Sequence, residues 1–447
     1  MRVILDTLGG MARSTVVRGG EILDETGRRR AELRIAGDTI VEVAASLEPE
    51  SGDEVIDARG CVVVPGLVDL QAHLREPGTG HVDTIETGTA AAAQGGFTAV
   101  VSMPNTTPCI DEPDLVREVN EIARRAGHCD VMSSAAMSVN RAGDRPTDIE
   151  ALYDAGARLF TDDGTAVMDS AIVRHVMERV AELPGAYVGQ HAEDESLIAG
   201  GHINEGPVSR ELGIQGRPAA AEVIVVERDL RLAEVTGARY HVLHASCAAT
   251  LDAVAAARAR GVDVTVEVTP QHLAFTEESV RSGDPLFKMN PPLRSADDRD
   301  ALRHALASGA IDAIATDHAP HPDHRKDVSL VDAAPGMTGL ETSLSAAITE
   351  LVEPGLASLD AIIAALTWKP ARIAGLDRWG HGGPLVVGAP ANVAIIDPAA
   401  EWTVRTDELA TRSSNNPFRG RTLPGRVLEP FLRGERTWSV DRSAVPA

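Results

Sequence analysis

Apolar runs of strand length recur through the middle of the chain, near residues 62–72, 98–104, 131–137, 158–162, 187–191, 239–245, 262–269 and 311–317. Several stop on a polar side chain. Val62 to Leu70 runs into Gln71-Ala72-His73, and Leu159-Phe160 into Asp162-Asp163. Tyr187-Val188-Gly189 leads to His191, Tyr240-His241-Val242-Leu243 to His244, and Ile311 to Ala315 to Asp317. Between the runs lie Ala-rich stretches of helical character: Ile85 to Gln94, Ala221 to Ala233 and Leu251 to Ala259, the first closed by Gly95-Gly96 as a C-cap. Eight strand-length runs alternating with helices over roughly 300 residues predict an α/β fold of the (β/α)8 TIM-like barrel type. The rival, an open doubly wound sheet, would carry G-x-G-x-x-G after its first strand, and no such motif follows here.

Both ends of the chain have a different texture. Ala31 to Ile35 and Thr39 to Val43 alternate around Gly37-Asp38, which reads as a β-hairpin. Near the other end Leu385-Val386-Val387, Asn392 to Ile396 and Trp402-Thr403-Val404 read as strands, with a turn at Gly388. The two ends therefore predict one small β-sandwich, residues 1–64 and 381–447, flanking a barrel over residues 65–380.

Composition narrows the function. Aromatic residues make up 3% of the 447, so the core rests on Val, Ile, Leu and Ala. A net charge of −24 argues against a nucleic-acid or anionic-membrane surface. Cys61, Cys109, Cys129 and Cys247 are scattered without a C-x-x-C pair, which fits a reducing cytoplasm. The apolar start Val3-Ile4-Leu5 is cut by Asp6 and is too short for a signal-peptide core. No apolar run approaches membrane-spanning length.

His73, His191 and His244 taken singly read as satisfied core or surface histidines. Together with Asp163 and Asp317 they end separate strands, and in a barrel those ends meet on one rim. Three imidazoles and two carboxylates there make a nitrogen–oxygen cage for zinc or a similar divalent ion. Asp162 competes with Asp163 as the carboxylate involved.

The run Asp69-Leu70-Gln71-Ala72-His73-Leu74-Arg75-Glu76-Pro77-Gly78 resembles the D-x-H-x-H-x-R-E-P-G signature of dihydroorotases in the amidohydrolase superfamily. Met103-Pro104-Asn105-Thr106, Asp162-Asp163-Gly164, Gln190-His191-Ala192-Glu193, Asn290-Pro291-Pro292-Leu293-Arg294 and Thr316-Asp317-His318-Ala319-Pro320-His321 extend the likeness. It implies a reversible metal-dependent opening of dihydroorotate to N-carbamoyl-aspartate in pyrimidine synthesis, with one or two Zn2+ ions per chain and a homodimer. His73 and Asp317 would face one metal, His191 and His244 a second, with Asp163 bridging and Asp317 as the catalytic base. Arg75, Asn105, Asn290, His321, Pro335 and Gly336 would bind substrate. Gln71 stands where that signature has histidine, and a neutral amide is a weak or absent ligand. That departure keeps two other readings open: a related cyclic amidase acting on another ring, and a non-catalytic scaffold for aspartate transcarbamoylase.

Plainer readings stand beside these. Arg75 can pair with a surface acid, and Asn105 and Asn290 adjoin prolines as turn residues do. His318 reads as packing. Residues 322–335 are long and polar for a βα connection and read equally as a lid or a surface loop.

Overall fold

The computed structural model describes residues 14–440, so the Val3-Ile4-Leu5 start lies outside the described residues. The fold is α/β. Its centre is a set of parallel strands in two sheets. Leu67–Ala72, Phe97–Ser102 and Asp130–Ser133 form one. Leu159–Phe160, Tyr187–Gln190, Tyr240–Val242, Val264–Val268 and Ala313–Ile314 form the other. Parallel bridges join the sheets at both edges, Ala135 to Phe160 and Ala72 to His318. The first strand and the segment after the last are thus neighbours, held by the His73 N–H on the His318 carbonyl at 2.9 Å.

The helices follow their sequence signals. Ile85–Gln94 begins at Thr84, whose hydroxyl accepts from the Thr87 N–H, and ends on Gly95. Ala219–Thr236 and Ala248–Ala259 extend the two other expected stretches by a few residues. The largest apolar cluster lies where such helices meet the strands, through Val100, Val188, Val242 and Ile314 against Val116, Val176, Val226 and Val254.

A second body is built from both ends of the chain. Six strands run in the order Glu435–Arg436, Thr422–Leu432, Val393–Thr403, Val62–Pro65, Glu21–Asp24 and Gly27–Arg30. A four-stranded sheet holds Thr39–Ala44, Glu32–Ala36, Thr15–Arg18 and Glu54–Asp57. The two share an apolar core of Val17, Ile22, Leu33, Ile35, Val63, Ile395 and Phe431. Val62–Pro65 pairs antiparallel with Val393–Thr403, so strands far apart in sequence complete one sheet.

Three expectations need correction. The run 62–72 is two strands, split at Gly66. A side chain there would meet the Thr98 side chain at 2.1 Å, so the backbones can approach only with glycine. Leu385-Val386-Val387 is not a strand. Leu385 is buried and its N–H donates to Asp24 at 2.8 Å, whereas Val386 and Val387 turn outward. Asn392 to Ile396 and Trp402-Thr403-Val404 are not separate strands; all of them but Asn392 and Val404 fall in the continuous strand Val393–Thr403, with a register shift between Asp397 and Glu401. Among the described residues no helix is long and apolar enough to cross a membrane.

Candidate active site

Asp69, Gln71 and His73 sit two residues apart at the end of the first parallel strand, across a register irregularity between Asp69 and Ala72. All three reach groups carried by other strands. Asp69 accepts from the Thr316 N–H at 2.6 Å and its hydroxyl at 2.9 Å, and burial pushes its carboxyl well above the usual range. Gln71 donates its amide N–H to Asp163 Oδ1 at 2.9 Å. His73 Nε2 lies 3.0 Å from Asp317 Oδ1 and 3.5 Å from Asp163 Oδ2.

A cavity of about 240 Å³ opens beside them. His73, Asp163, His191, His244 and Asp317 reach it from five strand ends, as the sequence pattern suggests. Arg75, Asn105, Asn290, His321, Pro335 and Gly336 line it too. Gln71 does not line it; it is wholly buried and stands behind Asp163.

Asp163, His191 and His244 form the tightest set. One carboxylate oxygen and two imidazole nitrogens lie within 4.8 Å of one another, which suits a divalent cation. His191 Nδ1 is 3.1 Å from His244 Nε2, while its Nε2 meets Glu193 at 3.0 Å. Glu193 is held in turn by Arg217 at 2.7 Å. A proton on Nε2 facing Glu193 leaves the Nδ1 lone pair turned inward, where a metal would need it. Burial alone would raise the Asp163 carboxyl, but His244 and the charge of His73 hold it well below its usual value. For His244, burial works against the proton and the acids Asp163 and Asp317 outweigh it, so its pKa rises.

The other set is His73 and Asp317 with the second oxygen of Asp163. Asn105 turns its Nδ2 to Asp163 Oδ2 at 3.4 Å, so its carbonyl accepts from His73 Nδ1 at 2.8 Å. With Nδ1 donating to Asn105, His73 turns its Nε2 toward two carboxylates. That contact is favourable only with a proton or a cation between them.

Asp162 has a different job. It accepts from the N–H groups of Met137 at 2.8 Å and Ser138 at 3.1 Å and from the Ser138 hydroxyl. Of the two aspartates, Asp163 is the one on the cavity.

Arg75, His321 and Asn290 line the same cavity as this cluster. Arg75 has a left-handed backbone (φ 64°) and donates from Nε to the Pro320 carbonyl at 3.1 Å. Burial lowers it to about 10 against the pull of Asp317 and Asp163, so the guanidinium stays charged. His321 donates from Nε2 to the Pro335 carbonyl at 2.8 Å, and burial with the nearby Arg75 lowers it to about 3, keeping it neutral. Asn290 Oδ1 is buried with no hydrogen-bond partner among the described residues.

His318 is buried and accepts the Gly339 N–H on Nδ1 at 3.2 Å, in keeping with a packing role. Residues 322–335 contain the short helix Asp323–Lys326; Lys326, Leu330, Ala333 and Ala334 are buried and most of the others are exposed. Sequence reasoning passed over Glu193, although it lies in the quoted Gln190-His191-Ala192-Glu193 run. An acid two residues beyond a candidate ligand is the signal that finds it. Lys288 and Lys326 also went unread.

A protein-family model described as dihydro-orotase-like matches residues 60–249. The chain is 44% identical to the dihydroorotase of Streptomyces coelicolor, over 95% of this chain and 98% of that one. It is 42% identical to the dihydroorotase of Mycobacterium leprae, over 97% of this chain and 100% of that one. In structure it is similar to the L-hydantoinase (dihydropyrimidinase) of Arthrobacter aurescens, with a TM-score of 0.85 at 25% identity over 95% of this chain and 96% of that one.

Glu193→Gln keeps the shape of the brace on His191 but removes its charge. Metal affinity, read by competition with a chromogenic chelator, is expected to fall about 10- to 100-fold. An unchanged affinity would detach Glu193 from the centre.

Proposed function

The chain belongs to the dihydroorotase family, and from that premise we propose that it interconverts (S)-dihydroorotate and N-carbamoyl-L-aspartate in pyrimidine synthesis. It is a metal-dependent cyclic amide hydrolase. The observation that carries the substrate reading is one cavity holding both a metal-type cluster (Asp163, His191, His244) and the half-buried cation Arg75 with His321 and Asn290. A scaffold without catalysis has no physical need of that combination.

We read the fold as a (β/α)8 barrel over residues 65–380 with a β-sandwich from the described parts of residues 1–64 and 381–447. The bridge from Ala72 to His318 and the shared six-stranded sheet support this division.

We assign zinc to Asp163, His191 and His244, whose two nitrogens and one oxygen suit it. A weaker second position would be faced by His73, Asp317 and the other oxygen of Asp163. When bound, the metal would lower the pKa of a water towards neutrality and polarise the ring carbonyl. The remaining steps belong to the chain. Arg75 has its Nε occupied by Pro320, which leaves both Nη groups as a fork for the substrate carboxylate. Asn290 offers its unpartnered amide oxygen to the ring N–H. Asp317, 3.0 Å from His73, takes the proton of the attacking water as the C–O bond forms. It returns that proton to the ring nitrogen as the C–N bond breaks. Ring closure runs through the same groups in reverse.

The direct test is cyclisation of N-carbamoyl-aspartate by the purified zinc-loaded protein. Turnover is expected, and Asp317→Asn should lower kcat about 100-fold or more. Turnover of hydantoin with none of carbamoyl-aspartate would move the chain to another ring. Arg75→Ala should raise KM about tenfold with a smaller change in kcat; an unchanged KM removes the carboxylate fork. Gln71→His replaces a neutral donor on Asp163 with a ligand. Zinc per chain, counted by mass spectrometry after gel filtration, should rise relative to the native protein. A count no higher than native would show that residue 71 does not limit the second position.

A further inference from the structure

Lysine is scarce in this chain: Lys288, Lys326 and Lys369 are the only three among 42 basic residues. Two of those three are buried together under the cavity wall, at 5% and 6% exposure. Lys326 Nζ donates to the carbonyls of Ala334 at 3.0 Å, Gly336 at 3.0 Å and Lys288 at 3.4 Å. Lys288 Nζ donates to the Val331 carbonyl at 2.7 Å and lies 3.3 Å from His202 Nδ1. The Lys288 carbonyl also accepts the Gly336 N–H at 2.9 Å, and the Ala334 N–H donates to Arg325 at 3.0 Å. Burial pushes Lys326 down to about 7 and Lys288 to about 8, in keeping with amines kept from water.

An ammonium has three N–H donors spread around one point, and here three carbonyls converge on it. A guanidinium is planar and forked, which explains a lysine in a chain that otherwise uses arginine. The held backbone is the cavity wall itself. Ala334, Pro335 and Gly336 line the same cavity as Asp163, and Asn290 lies two residues beyond Lys288. Both sides of the wall are therefore tied at one carbonyl.

We propose that Lys326, seconded by Lys288, is a positioning residue that locks residues 334–336 against the Lys288–Asn290 segment and so sets the shape of the substrate site. It touches neither substrate nor metal; it acts through the Pro335–Gly336 backbone and Asn290. The proposal rests on the cavity being the dihydroorotate site.

Lys326→Met keeps the length of the side chain and removes its donors. KM for dihydroorotate is expected to rise about tenfold while kcat changes less than about threefold and zinc content stays the same. Lys326→Arg should fail to restore KM, because the fork cannot reach three convergent carbonyls. A KM within twofold of the native value in the Met variant would overturn the proposal, as would full recovery in the Arg variant. Amide hydrogen exchange on the native protein is the second measurement and needs no variant. The Ala334 and Gly336 amides should be protected, and exchange at the rate of a free peptide would overturn the clamp. Should the native protein leave dihydroorotate untouched, the substrate reading fails while the exchange measurement still decides the clamp.

Discussion

Asp163 must remain ionised where water does not reach it. A buried carboxylate costs several kcal/mol unless cations or donors surround it. Here Gln71 and Asn105 supply N–H groups and His73 and His244 supply imidazoles; Gln71 and His73 come from the end of one strand, Asn105 and His244 from the loops after two others. Moving any one strand end would leave that charge partly uncompensated. The closure of the parallel strands through Ala72 and His318 is thus tied to the chemistry at their ends.

The same ends carry strain. Arg75, His244 and Asp317 all take left-handed backbone angles, φ 64°, 33° and 44°, which side chains other than glycine adopt at a cost of order 1–3 kcal/mol each. Neighbours hold the geometry. Glu267 accepts the His244 N–H at 3.4 Å, and Asp69 grips Thr316 one residue before Asp317. The strain turns three side chains into the cavity that a relaxed strand would have pointed elsewhere.

Much of this was legible in the residues. Apolar runs ending on His or Asp pointed to the parallel strands, and four imidazole or carboxylate ends besides Asp163 were identifiable without coordinates. Less was legible where pairing lies far off in sequence. Leu385-Val386-Val387 has strand composition, yet it ends in a turn, and it is Gly388 and Ala389 after it that pair with Ile40. Asp162 and Asp163 are adjacent and chemically identical, and only the backbone donors of Met137 and Ser138 tell them apart. Gln71 looks like a failed ligand in the sequence; in space it is a donor to the carboxylate beside it. Lys326 gave a compositional signal, a rare residue type, that reading by motif does not register.

The shared sheet has a consequence for synthesis on the ribosome. Val62–Pro65 emerges early, but its antiparallel neighbour Val393–Thr403 follows only after every strand of the central layer has been made. Until then one side of a Val-rich strand stays open, a template for unwanted pairing with another nascent chain. Proteins of this build should lean on chaperones during elongation, until the late strand covers that open side.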